Sequence, residues 1–217
     1  MNEKIYTVLC VLFAVLVITG NLIYQKFVYL PIGTLYVFEL SIGAITYPLT
    51  FLLTDLIAEF YGKDRALYCV KLTILMNILV ALIICMVSRL DATNWSKIDN
   101  KIFDSVFGFY GIAFTGSILA NYISQQIDIR LYLFIKKLTS DRLLWLRNNL
   151  STACALLVDT AIVVCFLAFF GALPKEQTTM LIFNSYLFKL FFTLCSTPLF
   201  YASVYTIRSI IKKRVNA

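Results

Sequence analysis

The chain has 217 residues, of which 60% are apolar and only 14% charged, and its mean hydropathy is +0.83. Soluble domains run at roughly 45–50% apolar and about 25% charged, so a single globule of this size cannot bury so much apolar surface and lipid must cover the rest. The net charge of +7 reads as basic loops on one side of a membrane rather than as a nucleic-acid footprint. The absence of histidine excludes His-based triads, His metal sites and imidazole proton relays.

A helix needs about 20 apolar residues to cross the hydrocarbon. Taken in order, the chain offers six such segments, at 5–23, 42–60, 66–88, 105–128, 150–171 and 180–206. The first is uncharged throughout and longer than the apolar stretch of a secretion signal, so it reads as an uncleaved span. The stretch FVYLPIGTLYVFELS at 27–41 alternates in character around a Pro-Ile-Gly-Thr turn at 31–34, which predicts a short hairpin near the membrane surface. The second span is the least apolar, because it carries Pro48, Asp55 and Glu59. Pro198 lies inside the sixth and removes a hydrogen bond to the Leu194 carbonyl, which predicts a kink. On the fourth, Gly108, Gly111, Gly116 and Ala120 are small enough for close helix contact. All six cysteines fall in apolar stretches without a C-x-x-C pair, which predicts buried thiols acting as small hydrophobes.

The fold expected is therefore one all-α membrane domain over 1–217: a compact bundle of six transmembrane helices with a hairpin-like segment between the first two. Charge asymmetry sets its orientation. With the N-terminus inside, thirteen of the 19 basic residues lie on the cytoplasmic side, five lie outside (Lys26, Arg89, Lys97, Lys101 and Lys175), and Lys189 is left within a span. That bias places both termini in the cytoplasm, and an odd number of helices would strand either Lys4 or the Arg208–Arg214 cluster on the wrong side.

The informative residues are those a membrane should exclude. Asp55 and Glu59 are spaced i,i+4 and share a face of the second helix. Asn121, Gln125 and Asp128 share a face of the fourth, Thr152 and Asp159 a stripe of the fifth, and Ser185, Lys189, Thr193 and Ser196 a stripe of the sixth. Four polar stripes predict a shared interior site. Other readings stay open: Asp55, Glu59 and Asp128 reaching headgroups or pairing with Arg65 or Arg130 at the interface, Asp159 forming a buried pair with Lys189, and Asn121 and Gln125 bonding neighbouring helices. No Gly-x-Gly-Asp surrounds a membrane aspartate, and no glycine loop that could cradle a phosphate is present, so no enzymatic activity, cofactor or metal is expected.

Several strings carry a family resemblance: TYPLTFLLTDLIAEFYGKDRA (46–66), NYISQQIDI (121–129), WLRNNLST (145–152), VDTAIVVCFLAFFG (158–171) and KLFFTLCSTPLFY (189–201). In these the chain resembles the queuosine precursor transporters, also called the vitamin uptake transporter family, which are similar to the substrate-binding S components of energy-coupling-factor importers. The resemblance implies a multi-pass protein of the bacterial inner membrane that imports 7-deazaguanine bases, queuine or its precursors, for tRNA modification. Carried over by motif, the candidate substrate contacts are Asp55, Glu59, Asn121, Gln125, Asp128, Asp159 and Lys189, with Arg147 and Asn148 from the loop into the fifth helix. A buried carboxylate suits the paired N–H donors of a deazaguanine edge, a second suits an aminomethyl cation, and Tyr47, Phe51, Tyr122 or Trp145 could stack on the ring. Gln126 departs from the family pattern, where an apolar residue is usual. Proton coupling, a homo-oligomer, a separate energising partner, a different vitamin or nucleobase-like solute, and a non-transporting scaffold remain alternatives at this stage.

Overall fold

Lipid offers no partner for a free backbone amide, so a chain this apolar crosses it as helices or as a closed barrel. The computed structural model describes residues 3–32, 36–107, 110–140, 142–171, 173 and 175–215 and takes the helical route. In chain order come α1 (Glu3–Ile23), β1 (Phe27–Ile32), β2 (Tyr36–Ser41), α2 (Gly43–Tyr61), α3 (Lys63–Val87), α4 (Asn100–Phe107), α5 (Tyr110–Leu138), α6 (Leu144–Phe169), the 3-10 turn Lys175–Gln177 and α7 (Thr178–Val215). The two strands form an antiparallel hairpin whose register runs from Phe27 opposite Ser41 to Ile32 opposite Tyr36. Its turn at Gly33 and Thr34, and Gly108 before α5, lie outside the described residues.

Three boundaries differ from expectation. The fourth span does not begin at 105; the short α4 precedes it, and α5 runs on to Leu138. Lys136 and Lys137 occupy the last turn of α5, where cations favour the helix C-terminus, so the helix outlasts its apolar stretch. α6 begins at Leu144, which puts Arg147 and Asn148 on the helix rather than in a loop before it. α7 stays helical through Pro198, with Phe200 and Val204 buried just beyond it.

Among the described residues four helices, α1, α3, α6 and α7, are long and apolar enough to cross a membrane, and the chain is a mostly helical, multi-pass membrane protein. The exceptions have a physical cause. α2 contacts α1, α3, α5, α6 and α7, and it buries twelve of its residues, Asp55 among them. A helix at the centre of a bundle does not face lipid, so it need not be lipid-soluble. Around it the other helices are neighbours in the order α1, α3, α5, α6, α7, and β2 rests on α7. The main core joins Phe13 and Val17 of α1, Leu56 and Ile57 of α2, Val70 of α3, Ile129 and Tyr132 of α5, and Phe200 and Val204 of α7. Val8, Leu12 and Val15 of α1 and Leu75, Leu79 and Leu82 of α3 point outward, an apolar surface suited to acyl chains.

That outward surface corrects the cysteine expectation. All six thiols are free, but Cys69 alone is buried and Cys85, Cys154, Cys165 and Cys195 are exposed on the bundle. Lipid solvates a small apolar thiol as well as a protein core does.

Two glycines set the inner geometry. Gly62 alone separates α2 from α3 and has φ +82° and ψ 176°, a conformation essentially confined to glycine. A Cβ on Gly43 would lie 2.6 Å from the Gly20 carbonyl oxygen and 3.2 Å from Tyr24 Cα, so α1 and α2 touch backbone to backbone. A Cβ on Gly20 meets nothing closer than 3.6 Å. Gly43→Ala is therefore expected to destabilise the bundle by about 1–3 kcal/mol, as overpacking does. Gly20→Ala should leave the thermal unfolding midpoint of detergent-solubilised protein nearly unchanged.

Candidate functional site

Buried polar side chains run through the bundle in three tiers, from the end where the hairpin sits to the end where α5 carries its lysines. At the hairpin end lies a cavity lined by Asn21, Tyr24, Phe27, Tyr47, Asp159 and Lys189, with Ser41, Ser117 and Ser185 on its wall. About 110 Å³ of it accepts the centre of a water molecule, which is room for a small solute.

The cavity's charged wall is built by four helices. Asp159 of α6 accepts from Lys189 Nζ of α7 at 2.9 Å and from the Tyr47 hydroxyl of α2 at 2.7 Å. Ser124 of α5 donates to the same carboxylate at 3.4 Å. Lys189 also donates to Thr160 Oγ1 at 3.1 Å and sits 4.7 Å from the centre of the Tyr47 ring. Asn121 donates to the Tyr47 hydroxyl at 3.0 Å. A buried pair this well surrounded satisfies the condition under which ionised partners persist in a low-dielectric interior.

The opposite wall is neutral. Asn21 of α1 donates to Asn77 of α3 at 3.0 Å and accepts from Ser117 of α5 at 2.6 Å. Tyr24, at the end of α1, has its phenol pushed up by burial, partly offset by the Gln25 amide beside it.

The middle tier is poorly satisfied. Gln125 accepts from Thr54 at 2.8 Å, and Asp128 Oδ1 accepts from Thr152 at 3.4 Å. Both oxygens of Asp55, Asp128 Oδ2, Gln125 Nε2 and Asn121 Oδ1 are buried with no hydrogen-bond partner.

At the lysine end, Glu59 is the hub of an ion network. Its carboxylate, 3% exposed, meets Arg147 at 2.8 Å, Lys136 at 2.9 Å and Arg208 at 3.1 Å. The Tyr132 hydroxyl donates to Glu59 at 3.2 Å and accepts from Arg147 Nε at 3.2 Å. This network ties α2, α5, α6 and α7 together.

The structure thus brings Asn121, Asp159 and Lys189 to the cavity or its wall, and Gln125, Asp55 and Asp128 to the tier below. Glu59 and Arg147 meet in the hub, and Asn148, next to Arg147 in sequence, is buried on α6. Asp159 does pair with Lys189. The interfacial pairings do not form: Arg65 bonds Glu3, and Arg130 bonds Gln126 at 2.8 Å, which gives the unusual Gln126 a partner. Of the stacking candidates, Tyr47 reaches the cavity and Phe51 is buried against Ala155 and Leu156, whereas Tyr122 and Trp145 are exposed on the outer surface.

Residues 41–203, most of the chain and all three tiers but for Asn21, Tyr24, Phe27 and Arg208, match the model of a family described as "Putative vitamin uptake transporter". The chain belongs to the vitamin uptake transporter family. It is also 33% identical over 164 residues to a Bacillus subtilis (strain 168) protein named "Probable queuosine precursor transporter", covering 75% of this chain and 71% of the relative. No solved structure matches. The chain is accordingly a membrane transporter of the vitamin or precursor type.

Sequence reasoning missed several residues of this vitamin uptake transporter. Asn77, alone within the apolar ILMNILV of α3, was as clear a signal as Asn121, and Asn21 lies opposite it. Tyr132, Lys136 and Arg208 look like ordinary interface residues until the fold gathers them on Glu59. Removing one partner from a buried ion network costs about 3–5 kcal/mol. Glu59→Gln should lower the unfolding midpoint accordingly, whereas Glu3→Gln, which breaks an exposed pair with Arg65, should leave it in place.

Proposed function

We propose that this transporter imports 7-deazaguanine bases, queuine or a precursor, across the bacterial inner membrane for tRNA modification. The observation that carries the reading is the cavity at the hairpin end, in which a carboxylate and an ammonium face one wall beside an aromatic ring. The positive-inside rule puts the Lys136–Arg208 end of the bundle in the cytoplasm, so the cavity opens toward the outside and the Glu59 hub closes the inside. Six helices, all but the short α4, then span the membrane, with α2 and α5 shielded by their neighbours.

The chemistry of the base fits the wall. A carboxylate carries about four lone-pair positions, so Asp159 can hold Lys189, Tyr47 and Ser124 and still receive one N–H donor of the base edge. Lys189 has three protons, two of them engaged by Asp159 and Thr160, and the third is available to the base carbonyl. Tyr24, Phe27 and Tyr47 offer faces for the ring, and Asn21 and Ser117 offer polar contacts opposite. The relative's name, a queuosine precursor transporter, supports the same solute.

The test is uptake in a bacterium unable to make queuosine, expressing this chain and supplied with a low concentration of queuine or a precursor. Modified tRNA is the expected result; unmodified tRNA despite good membrane expression contradicts the substrate. A charge-assisted hydrogen bond is worth about 1.5–3 kcal/mol, so Asp159→Asn should reduce uptake by about tenfold or more while folded protein remains. Wild-type uptake in that variant removes Asp159 from the site.

A further inference from the structure

Asp55 and Asp128 do not line the cavity, and three of their four oxygens have no hydrogen-bond partner. We propose that these two side chains share a single bound proton, and that this proton is the ion whose entry drives solute uptake. The coupling half of the proposal rests on the importer reading above; the proton site does not.

The geometry is as follows. Asp55 of α2 and Asp128 of α5 are both fully buried and face each other within hydrogen-bonding range. Of their four oxygens, one accepts from Thr152 at 3.4 Å and the other three have no donor. Two facing carboxylates are acceptors only, and neither can satisfy the other. One proton turns one of them into a donor, supplying the missing hydrogen bond and removing one of two like charges from a dry interior.

The charges around the pair point to the same count. Glu59 lies one turn along α2, Tyr132 one turn along α5, and Ser151 and Thr152 face the pair from α6. Arg147 of α6 is a buried cation on this side, 1% exposed, and it bonds Glu59 and Tyr132. The hub's other cations, Lys136 of α5 and Arg208 of α7, bond Glu59 as well and are 24% and 62% exposed. Both oxygens of Asp55 are without a hydrogen-bond partner, so a bound proton relieves the repulsion between the two carboxylates.

The site also has a route to the cavity. Ser124 on α5 bonds Asp159, Asn121 bonds Tyr47, and Gln125 bonds Thr54, so the face of α5 leading from the cavity to Asp128 is polar throughout. Two atoms along it, Asn121 Oδ1 and Gln125 Nε2, are buried without partners. Orphaned groups of this kind are where water or a passing solute completes the bonding. The proton enters from outside water, sits on the pair, and leaves to the cytoplasm when the Glu59 hub opens; the carboxyl O–H bond formed on entry is the one broken on exit.

Two measurements test this on the full chain in lipid. The first is infrared spectroscopy of the wild type at neutral pH against D55N and D128N, which needs no solute. A protonated-carboxyl C=O band present in the wild type and lost in each variant is expected; its absence from the wild type, or its persistence in both variants, overturns the proton site. Asn mimics a protonated acid in shape, so both variants should unfold at or above the wild-type temperature, which confirms intact protein. The second uses proteoliposomes with the membrane potential clamped, an imposed pH gradient and a radiolabelled 7-deazaguanine base. One proton per base predicts about tenfold accumulation per pH unit, the factor that 1.4 kcal/mol sets. D55N and D128N should accumulate none, yet still exchange external for internal base at near wild-type rates. Gradient-driven accumulation by these variants, or loss of exchange along with it, overturns the coupling. A wild type that exchanges no base contradicts the substrate reading, and the infrared band still decides the proton site.

Discussion

Every charged or polar group inside this bundle must find its partner within the protein, because lipid supplies none. That constraint explains why α2 is central. It carries the two carboxylates that lipid would reject most strongly, and five other helices surround it. It also explains why Asp159 is wrapped by Lys189, Tyr47 and Ser124, and why Glu59 gathers cations from three helices. The polar network is costly to assemble and offers little stability over an apolar core of the same shape, so its presence points to function.

The satisfied and unsatisfied tiers divide the labour. The two ionic centres, at Asp159 and at Glu59, close the middle of the bundle from either side. Between them sits the one region where buried oxygens and amides lack partners among the described residues. A transporter needs such an arrangement: contacts at one end that a solute can enter, contacts at the other that can break, and groups between that gain partners only during the cycle. The close backbone contact of Gly43 with Gly20 brings α1 against α2 beside the cavity, and the hairpin, held by Phe38 and Leu40 on Phe188, covers the same end.

Much of this was legible in the sequence. Hydropathy locates the four long apolar helices and the alternation at 27–41 locates the hairpin, because both follow directly from how side chains meet lipid or a sheet face. The i,i+4 spacing of Asp55 and Glu59 places them on one face, but spacing along one helix cannot say that they face different partners across it. Asp55 meets Asp128, while Glu59 meets Arg147, Lys136 and Arg208, two of which come from residues that read as ordinary interface anchors. The helix ends were misjudged where charge continued a helix past its apolar stretch, at Lys136 and at Arg147. Trp145 and Tyr122 were indistinguishable from Tyr47 by type; only the packing of α2 against α6 and α7 turns Tyr47 inward.

The central claim is that a solute binds in the cavity against Asp159 and Lys189. Equilibrium binding of a radiolabelled 7-deazaguanine base to the purified chain, alone in lipid nanodiscs, tests it most directly. One saturable site per chain is expected, displaced weakly by guanine and lost in the Lys189→Met variant carrying Asp159→Asn, a pair of changes that removes both charges of the Asp159–Lys189 pair together. Undiminished binding in that folded double variant would contradict it, as would a folded wild type that binds no base.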